Sequence, residues 1–334
     1  MLTCLMRLTL FVPGLLLPRE ILPDITFDLT APALSMLLGR GRRQAFPPDW
    51  LEANFGFSTF PAAALRKVGV GGTADGEWIC LDPVHFDVRR EGIMLADPAR
   101  LDLTADQATE LIAAIQPLFA GWGEISASAP ERWEMRLARP LALDTRPLAE
   151  SIDRPVPPGL PGGTDGREWR RLLAEAQTVL HAHPLNRRRE AAGRPTVHSL
   201  WPWGQGSLPT SLPLGFTTIL CDDPVLAGLG RLTGCECPAL PERFRQVDGN
   251  ALVIQPSLRV PATARDALAW RTALQELERD WLAPAVAALR QGECDELRLI
   301  GSSVDDAHRV VAITATRGAL RRFWRRPRPL TELA

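Results

Sequence analysis

Apolar, β-prone runs alternate with helix-patterned stretches along most of this chain, and that alternation constrains it to an α/β fold. The first run, Leu8–Leu17 (LTLFVPGLLL), follows Arg7 and resembles the apolar part of a signal peptide. Pro13-Gly14 interrupts it, and no small-residue cleavage pattern comes before Pro18-Arg19-Glu20. The run therefore reads as a buried strand ending in a turn. No stretch is long enough to cross a membrane.

Helix signals fall between the strand candidates. Ala31–Leu38 precedes Gly39 and Gly41. Thr104 and Gln107 form a capping box ahead of the stripe Leu111, Ile112, Ile115, Leu118 and Phe119. Asp165 and Glu168 offer a second box ahead of Trp169, Leu172, Leu173 and Ala176. From about Thr263, Trp270, Leu274, Leu277 and Trp281 keep helical spacing; Pro284 kinks that helix or begins another, and Gly292 ends it. Strands are predicted at 78–81, 84–88, 93–96, 123–126 and 133–137, then at 197–201, 216–221, 251–255, 296–300 and 310–315. Residues 78–139 together predict a sheet with a helix on one face. Residues 44–77 have mixed character. The proline- and glycine-rich stretch 140–166 reads as a linker or long surface loop.

The 334 residues suffice for one large or two ordinary domains. A net charge of −1 argues against a protein that binds nucleic acid over its whole surface. The exception is the tail from Arg317 to Arg328, where arginines flank Phe323 and Trp324. Such a segment binds nucleic acid or an anionic membrane, or else packs its aromatics on the core and leaves its guanidiniums in water. The latter is the expectation here. Positive charge is otherwise arginine, with Lys67 the single lysine. The six dispersed cysteines read as free thiols in a reducing cytoplasm.

The most informative segment is His183–Gly206, HPLNRRREAAGRPTVHSLWPWGQG. Its arginine-rich helix start leads through a turn to a strand ending Trp-Pro-Trp-Gly-Gln-Gly. Proline between the tryptophans removes an N–H, which places this strand at a sheet edge or near its end. Gly204–Gly206 then offer backbone amides to a crevice, with rigid indole walls and an arginine for an anion. The candidate ligand residues are Asn186, Arg187, Trp201, Trp203, Gly204, Gln205 and Gly206, with His85 in Asp-Pro-Val-His-Phe beside them. The alternative makes the tryptophans core aromatics and His85 a packed or capping residue. His181 and His183, two apart on a helix, face different directions and do not share an ion. Cys235-Glu-Cys237 lacks a second pair at metal-binding spacing.

The whole chain resembles the RpfE-type regulatory proteins of proteobacteria, remote relatives of archaeal-type, cofactor-independent phosphoglycerate mutases in the alkaline phosphatase superfamily. The segments that carry this resemblance are LTLFVPGLLL, APALSMLL, DPVHF, LTADQATELIAAI, RWEMRL, HPLNRRRE with SLWPWGQG, WRTALQELERDWLAPAVAAL and RRFWRRPRPL. It implies an alkaline-phosphatase-like, phosphoglycerate-mutase-like α/β core sheet flanked by helices, with an inserted smaller α+β module. The insertion would be 79–190, and 1–78 with 191–334 would form a discontinuous core.

In that family two metal ions and a nucleophilic serine do the chemistry, and losing the metal ligands removes it. Here the first strand delivers Val12-Pro13-Gly14 where the resemblance implies an aspartate. Only Ser58 stands in the region of the serine, and the stretch after 251–255 holds no histidine. Gly301-Ser302-Ser303 replaces an Asp-His pair. The expectation is a non-catalytic regulatory protein with no metal or other cofactor, taking a small anionic, phosphorylated ligand between core and insertion, or a protein partner. The alternative is an active mutase or phosphatase with displaced ligands, sought among Asp24, Asp28, Asp82, Asp87, Asp222, Asp223, Asp305, Asp306 and His308.

Overall fold

The structure, a computed structural model, describes residues 6–51, 60–90, 92–156, 160–209, 215–306 and 308–333. Ser58 lies outside them. The chain divides into two units, 1–57 with 211–223 and 230–334, and 58–210 with 224–229.

The first unit is built on six strands in the order β2-β12-β11-β1-β10-β9. These are β1 Met6–Pro13, β2 Arg42–Phe46, β9 Thr218–Leu220, β10 Asn250–Ile254, β11 Cys294–Ser302 and β12 Val310–Thr316. β9, β10, β1 and β11 run parallel, and β12 pairs antiparallel with both β11 and β2, so β12 alone of the six runs the other way. Leu8 of β1 pairs with Ala251 on one side and Leu297 on the other. A central parallel strand is covered on both faces, so its sequence is a continuous apolar run rather than an alternating one. Leu10, Val12, Leu34, Leu37, Leu274 and Leu289 belong to the resulting core.

The helix expected from Thr263 begins instead at Ala267, capped by Asp266, whose carboxylate accepts from Ala269 N at 2.9 Å. A π turn at Glu278–Leu282 precedes the Ala283–Gln291 helix, and Gly292 ends it in the left-handed region. Glu278, at the start of that π turn, accepts from Ala33 N at 2.6 Å and Leu34 N at 3.1 Å. It thereby satisfies the first amides of the Pro32–Arg40 helix, which has no capping side chain of its own.

The second unit holds an antiparallel sheet in the order β6-β7-β3-β8. Its strands are β3 Trp78–Val84, β6 Gly123–Ala129, β7 Arg132–Leu137 and β8 Ser199–Gly206. Two of the three strands expected after residue 78 do not join it. β4 Phe86–Arg89 and β5 Gly92–Leu95 pair with each other as a ribbon. The fourth place goes to β8, which continues through the whole Trp-Pro-Trp-Gly-Gln-Gly segment. β8 is an edge strand, as Pro202 requires.

The Ala105–Phe119 helix carries its complete capping box, and its Leu111, Ile115 and Phe119 are buried. At the Gly166–Ala182 helix the expected box does not form. Asp165 turns its carboxylate to Ala142 N at 2.7 Å and to Arg139 at 3.2 Å, and a cationic partner outbids the helix amides. The 140–166 stretch is more than a linker. Asp144 bridges Gly162, and Ile152 and Pro155 bridge Leu95 and Met94 of β5. This unit takes in the Ala62–Gly69 helix and β8, which lie on either side of the 79–190 stretch that the resemblance implies as an insertion.

Among the described residues no helix is long and apolar enough to cross a membrane. Cys80, Cys221, Cys235, Cys237 and Cys294 are thiols outside any disulfide. Burial pushes the Cys221 thiol up to about 12, so it stays protonated and unreactive at neutral pH.

Candidate functional site

The chemistry-bearing residues of the second unit fall into two groups, one sealed and one open. The sealed group lies where the Ala62–Gly69 helix crosses β3 and β7. Arg66, Asp82 and Glu134 sit there at 3%, 1% and 0% exposure. Arg66 makes a two-pronged pair with Asp82, at 2.8 and 3.0 Å, and its Nε donates to Glu134. Asp82 also accepts from Trp133 N at 3.0 Å and Trp203 Nε1 at 2.7 Å. Ser128 Oγ donates to Glu134 Oε1 at 2.6 Å.

Burial opposes the charge on Arg66, but Cys80, Asp82 and Glu134 together raise its pKa above the ordinary value. Burial raises the Glu134 pKa, with Arg66 pulling the other way. Asp82 and Glu134 Oε1 are committed to these inward partners, and Glu134 Oε2 is buried without a hydrogen bond. The cluster as a whole therefore adds little net stability, but removing one member would leave a buried charge uncompensated.

The cluster explains several candidates. Trp203 is spent on Asp82. Gly204 has φ +62°, and a Cβ on it would stand 2.6 Å from Ala62 Cβ; one on Gly206 would stand 2.8 Å from Pro61 Cβ. These glycines therefore face the start of the Ala62–Gly69 helix, not a crevice. What approaches these glycines closely is the protein itself, at Pro61 and Ala62. Gln205 Nε2 donates to Leu141 O at 2.8 Å. Asn186 is buried, donating to Leu180 O and Val197 O and accepting from Val197 N at 3.0 Å. Arg187 is exposed on the Pro184–Ala191 helix. Its neighbour Arg189 is the buried arginine, bonded to Leu101 O, Pro195 O and Gln107.

The open group follows the outer edge of β8, where the consecutive residues His198–Pro202 line a cavity of about 690 Å³. Its apolar walls include Trp201, Phe86, Val156 and Leu173. Arg146, Arg170, His181 and His198 bring cationic or proton-accepting groups, and no carboxylate is among its described lining residues. Trp201 Nε1 donates to Arg146 O at 2.9 Å, fixing one wall to the other. Arg170 Nη1 donates to Pro161 O at 2.6 Å.

His85 stands one layer behind, its ring stacked on His198 with centroids 4.4 Å apart. Its Nδ1 lies 2.8 Å from Thr196 O. Burial holds the His198 pKa below the usual range, reinforced by His85 and His181. Of the eight candidates, then, Trp201 lines the cavity and His85 backs it. His198, Arg146 and Arg170 were not singled out from the sequence, since nothing in their local patterns sets them apart.

The parallel strands of the first unit end at Pro13, Leu220, Ile254 and Ser302. Near those ends Ser303 Oγ accepts from Asp305 N and Asp306 N, Asp306 accepts from His308 N, and Asp305 faces Arg265 at 3.6 Å. Asp28 pairs with Arg271 at 2.7 Å, and Asp222 accepts from Leu240 N. Among the described residues no three His, Cys, Asp or Glu side chains gather so as to hold a metal ion. This donor set does not fit a two-metal centre.

No family model matches the chain. It is remotely similar to archaeal 2,3-bisphosphoglycerate-independent phosphoglycerate mutases. The protein of that name from Methanothrix thermoacetophila is 27% identical over 173 residues, 50% of this chain and 43% of that one. The one from Methanosarcina barkeri is 43% identical over 54 residues, 16% of this chain and 14% of that one. The matches span less than half the length of these curated relatives.

Among solved structures, the PH0037 protein from Pyrococcus horikoshii superposes with a TM-score of 0.54 at 14% identity, over 95% of this chain and 88% of that one. A cofactor-independent phosphoglycerate mutase from Thermoplasma acidophilum gives 0.48 at 17% identity, over 98% and 94%. At such identities the likeness to solved structures is one of fold, an α/β core sheet flanked by helices.

Proposed function

We propose that this mutase-like scaffold is a non-catalytic, cytoplasmic regulatory protein of the RpfE type that binds a small organic anion in the cavity along β8. The observation that carries the reading is the composition of that cavity. It has apolar walls, two arginines, two histidines and no carboxylate among its described lining residues. Its volume falls within the range of small-molecule sites, roughly 300–1,000 Å³. An indole and a phenyl ring suit an apolar or planar body, and guanidinium forks suit a phosphate or carboxylate. The ends of β1, β10 and β11, carrying glycine, glutamine and serine where two metals would need carboxylates and imidazoles, support the non-catalytic part, as does Asp222 after β9, which accepts from Leu240 N.

Calorimetry with phosphoglycerates, sugar phosphates and aromatic carboxylates tests the reading. Saturable binding of one class, weakened when Arg146 or Arg170 is replaced, is expected. Silence across the panel overturns it.

A diverged mutase is the second reading, favoured by the local identity to proteins named as phosphoglycerate mutases. Turnover of phosphoglycerate stimulated by manganese or zinc would establish it.

A further inference from the structure

Residues 317–328 carry six arginines and no acidic residue, in a chain of net charge −1. The expectation was that the aromatics of this tail would pack on the core. Instead the segment divides. Leu320, Leu330 and Leu333 are buried in the first unit's core, whereas Phe323 and Trp324 stand 80% and 68% exposed.

The backbone that presents these rings is pinned. Arg40 Nη1 donates to Leu320 O at 2.6 Å and its Nε to Arg325 O at 3.1 Å. Arg328 N donates to Ser35 O at 2.9 Å, and a Cβ on Gly39 would collide with the Arg326 carbonyl. Between those anchors, Phe323 N bonds Arg321 O at 2.8 Å and Arg325 N bonds Arg322 O at 2.9 Å, closing a tight turn. Two aromatic rings held in water by a fixed turn, ringed by Arg321, Arg322, Arg325 and Arg326, all exposed, need a partner to account for them.

We propose that this turn docks on the surface of an anionic lipid bilayer, with Phe323 and Trp324 entering the headgroup region and the four arginines meeting lipid phosphates. Aromatic side chains settle at headgroup depth, and clustered basic residues beside them are drawn to anionic leaflets. The geometry disfavours the other polyanions. The rings are 5.3 Å apart at 82°, so they cannot serve as parallel platforms for successive bases of a single strand. Two rings also bring only about 150–250 Å² each, short of the roughly 800 Å² each partner contributes to a stable protein interface.

The test is co-sedimentation of the full chain with phosphatidylcholine vesicles, with and without about one-third phosphatidylserine, at low and high salt. Binding only to the phosphatidylserine vesicles, abolished by high salt, is expected. Each arginine changed to glutamine should lower partitioning about fivefold. Phe323→Ala with Trp324→Ala should lower it further while leaving the melting temperature nearly unchanged, because the rings touch each other but neither is buried in the core. Equal binding to neutral vesicles, no binding at low salt, or retention that the double variant does not weaken would overturn the proposal. Tighter binding of single-stranded DNA than of vesicles would overturn it too.

Discussion

Arg66 grips Asp82 with both terminal nitrogens, Nη1 to Oδ2 at 3.0 Å and Nη2 to Oδ1 at 2.8 Å, in a place where neither side chain meets water. A pair this deeply buried offsets its own desolvation rather than adding much net stability, but either member left alone is costly. Arg66→Met would strand Asp82 and Glu134 together without a counter-charge. It should destabilise the second unit by about 3–5 kcal/mol, read from urea unfolding. Arg66→Lys keeps the charge but loses the fork, so an intermediate loss is expected. An Arg66→Met protein as stable as the parent would show that the network holds nothing together.

The glycines of β8 make a second, sharper prediction. Gly204→Ala meets both a backbone at φ +62° and Ala62 Cβ at 2.6 Å. Gly193→Ala meets φ +66° with open space around it. Backbone strain of about 1–3 kcal/mol applies to both, so their difference isolates the collision, another 1–3 kcal/mol or so. Equal denaturation midpoints would mean that Gly204 is needed for its conformation alone.

What could be read from the sequence was what rests on local pattern. β1 and β10 are legible because buried parallel strands are nearly continuously apolar, β11 from its apolar Leu297, Leu299 and Ile300, and the Ala105–Phe119 helix because its cap and stripe lie within one short window. β2 (RRQAF) left no such trace, since as an edge strand it buries none of its residues. The Ala62–Gly69 helix buries mainly alanines, which carry little periodic signal. Arg66, Asp82 and Glu134 meet across a sheet from three elements, so only their presence inside apolar runs hinted at them. The cavity draws Phe86, Arg146, Arg170 and Trp201 from four separate segments, and no spacing rule links those.

The His85–His198 stack makes stability depend on pH. The folded-state pKa of His198 is depressed, first by burial and then by His85 and His181, which outweigh Asp87 and Glu190. Below the ordinary histidine value of about 6.5 the unfolded chain takes up the proton more readily than the folded one. Its contribution is therefore full above that value and is lost as pH falls through the window beneath it. His198→Gln preserves an acceptor for Phe86 N and a donor toward Thr196 Oγ1, the two contacts the ring now makes. Its melting temperature should fall less than that of the parent between about pH 7 and 5. Parallel curves for the two proteins would assign the titration elsewhere. Asp87 does not confuse the measurement. Its pKa is depressed by Arg100 and Arg89 against the pull of burial, so its loss comes only below the ordinary aspartate range.

Trp201 and Trp203 stand two residues apart on β8 yet do different work, and that difference separates binding from folding. Trp203 donates to buried Asp82, whereas Trp201 lines the cavity and ties Arg146 O to its wall. Trp203→Phe removes a hydrogen bond to a charged acceptor, a loss of about 1.5–3 kcal/mol in stability, with ligand affinity unchanged. Trp201 is itself 5% exposed, so Trp201→Phe loses a neutral hydrogen bond and part of a buried ring and should also cost about 1–3 kcal/mol in stability. By loosening Arg146, however, it alone of the two should lower affinity for the bound anion, about three- to tenfold. Arg170→Gln removes a charge from the same wall and should cost about ten- to a hundredfold in affinity. Calorimetry and urea unfolding on the three variants read the two effects independently. If Trp203→Phe weakened binding as much as Trp201→Phe did, the ligand would have to sit against the sealed cluster, and the cavity along β8 would not be the site.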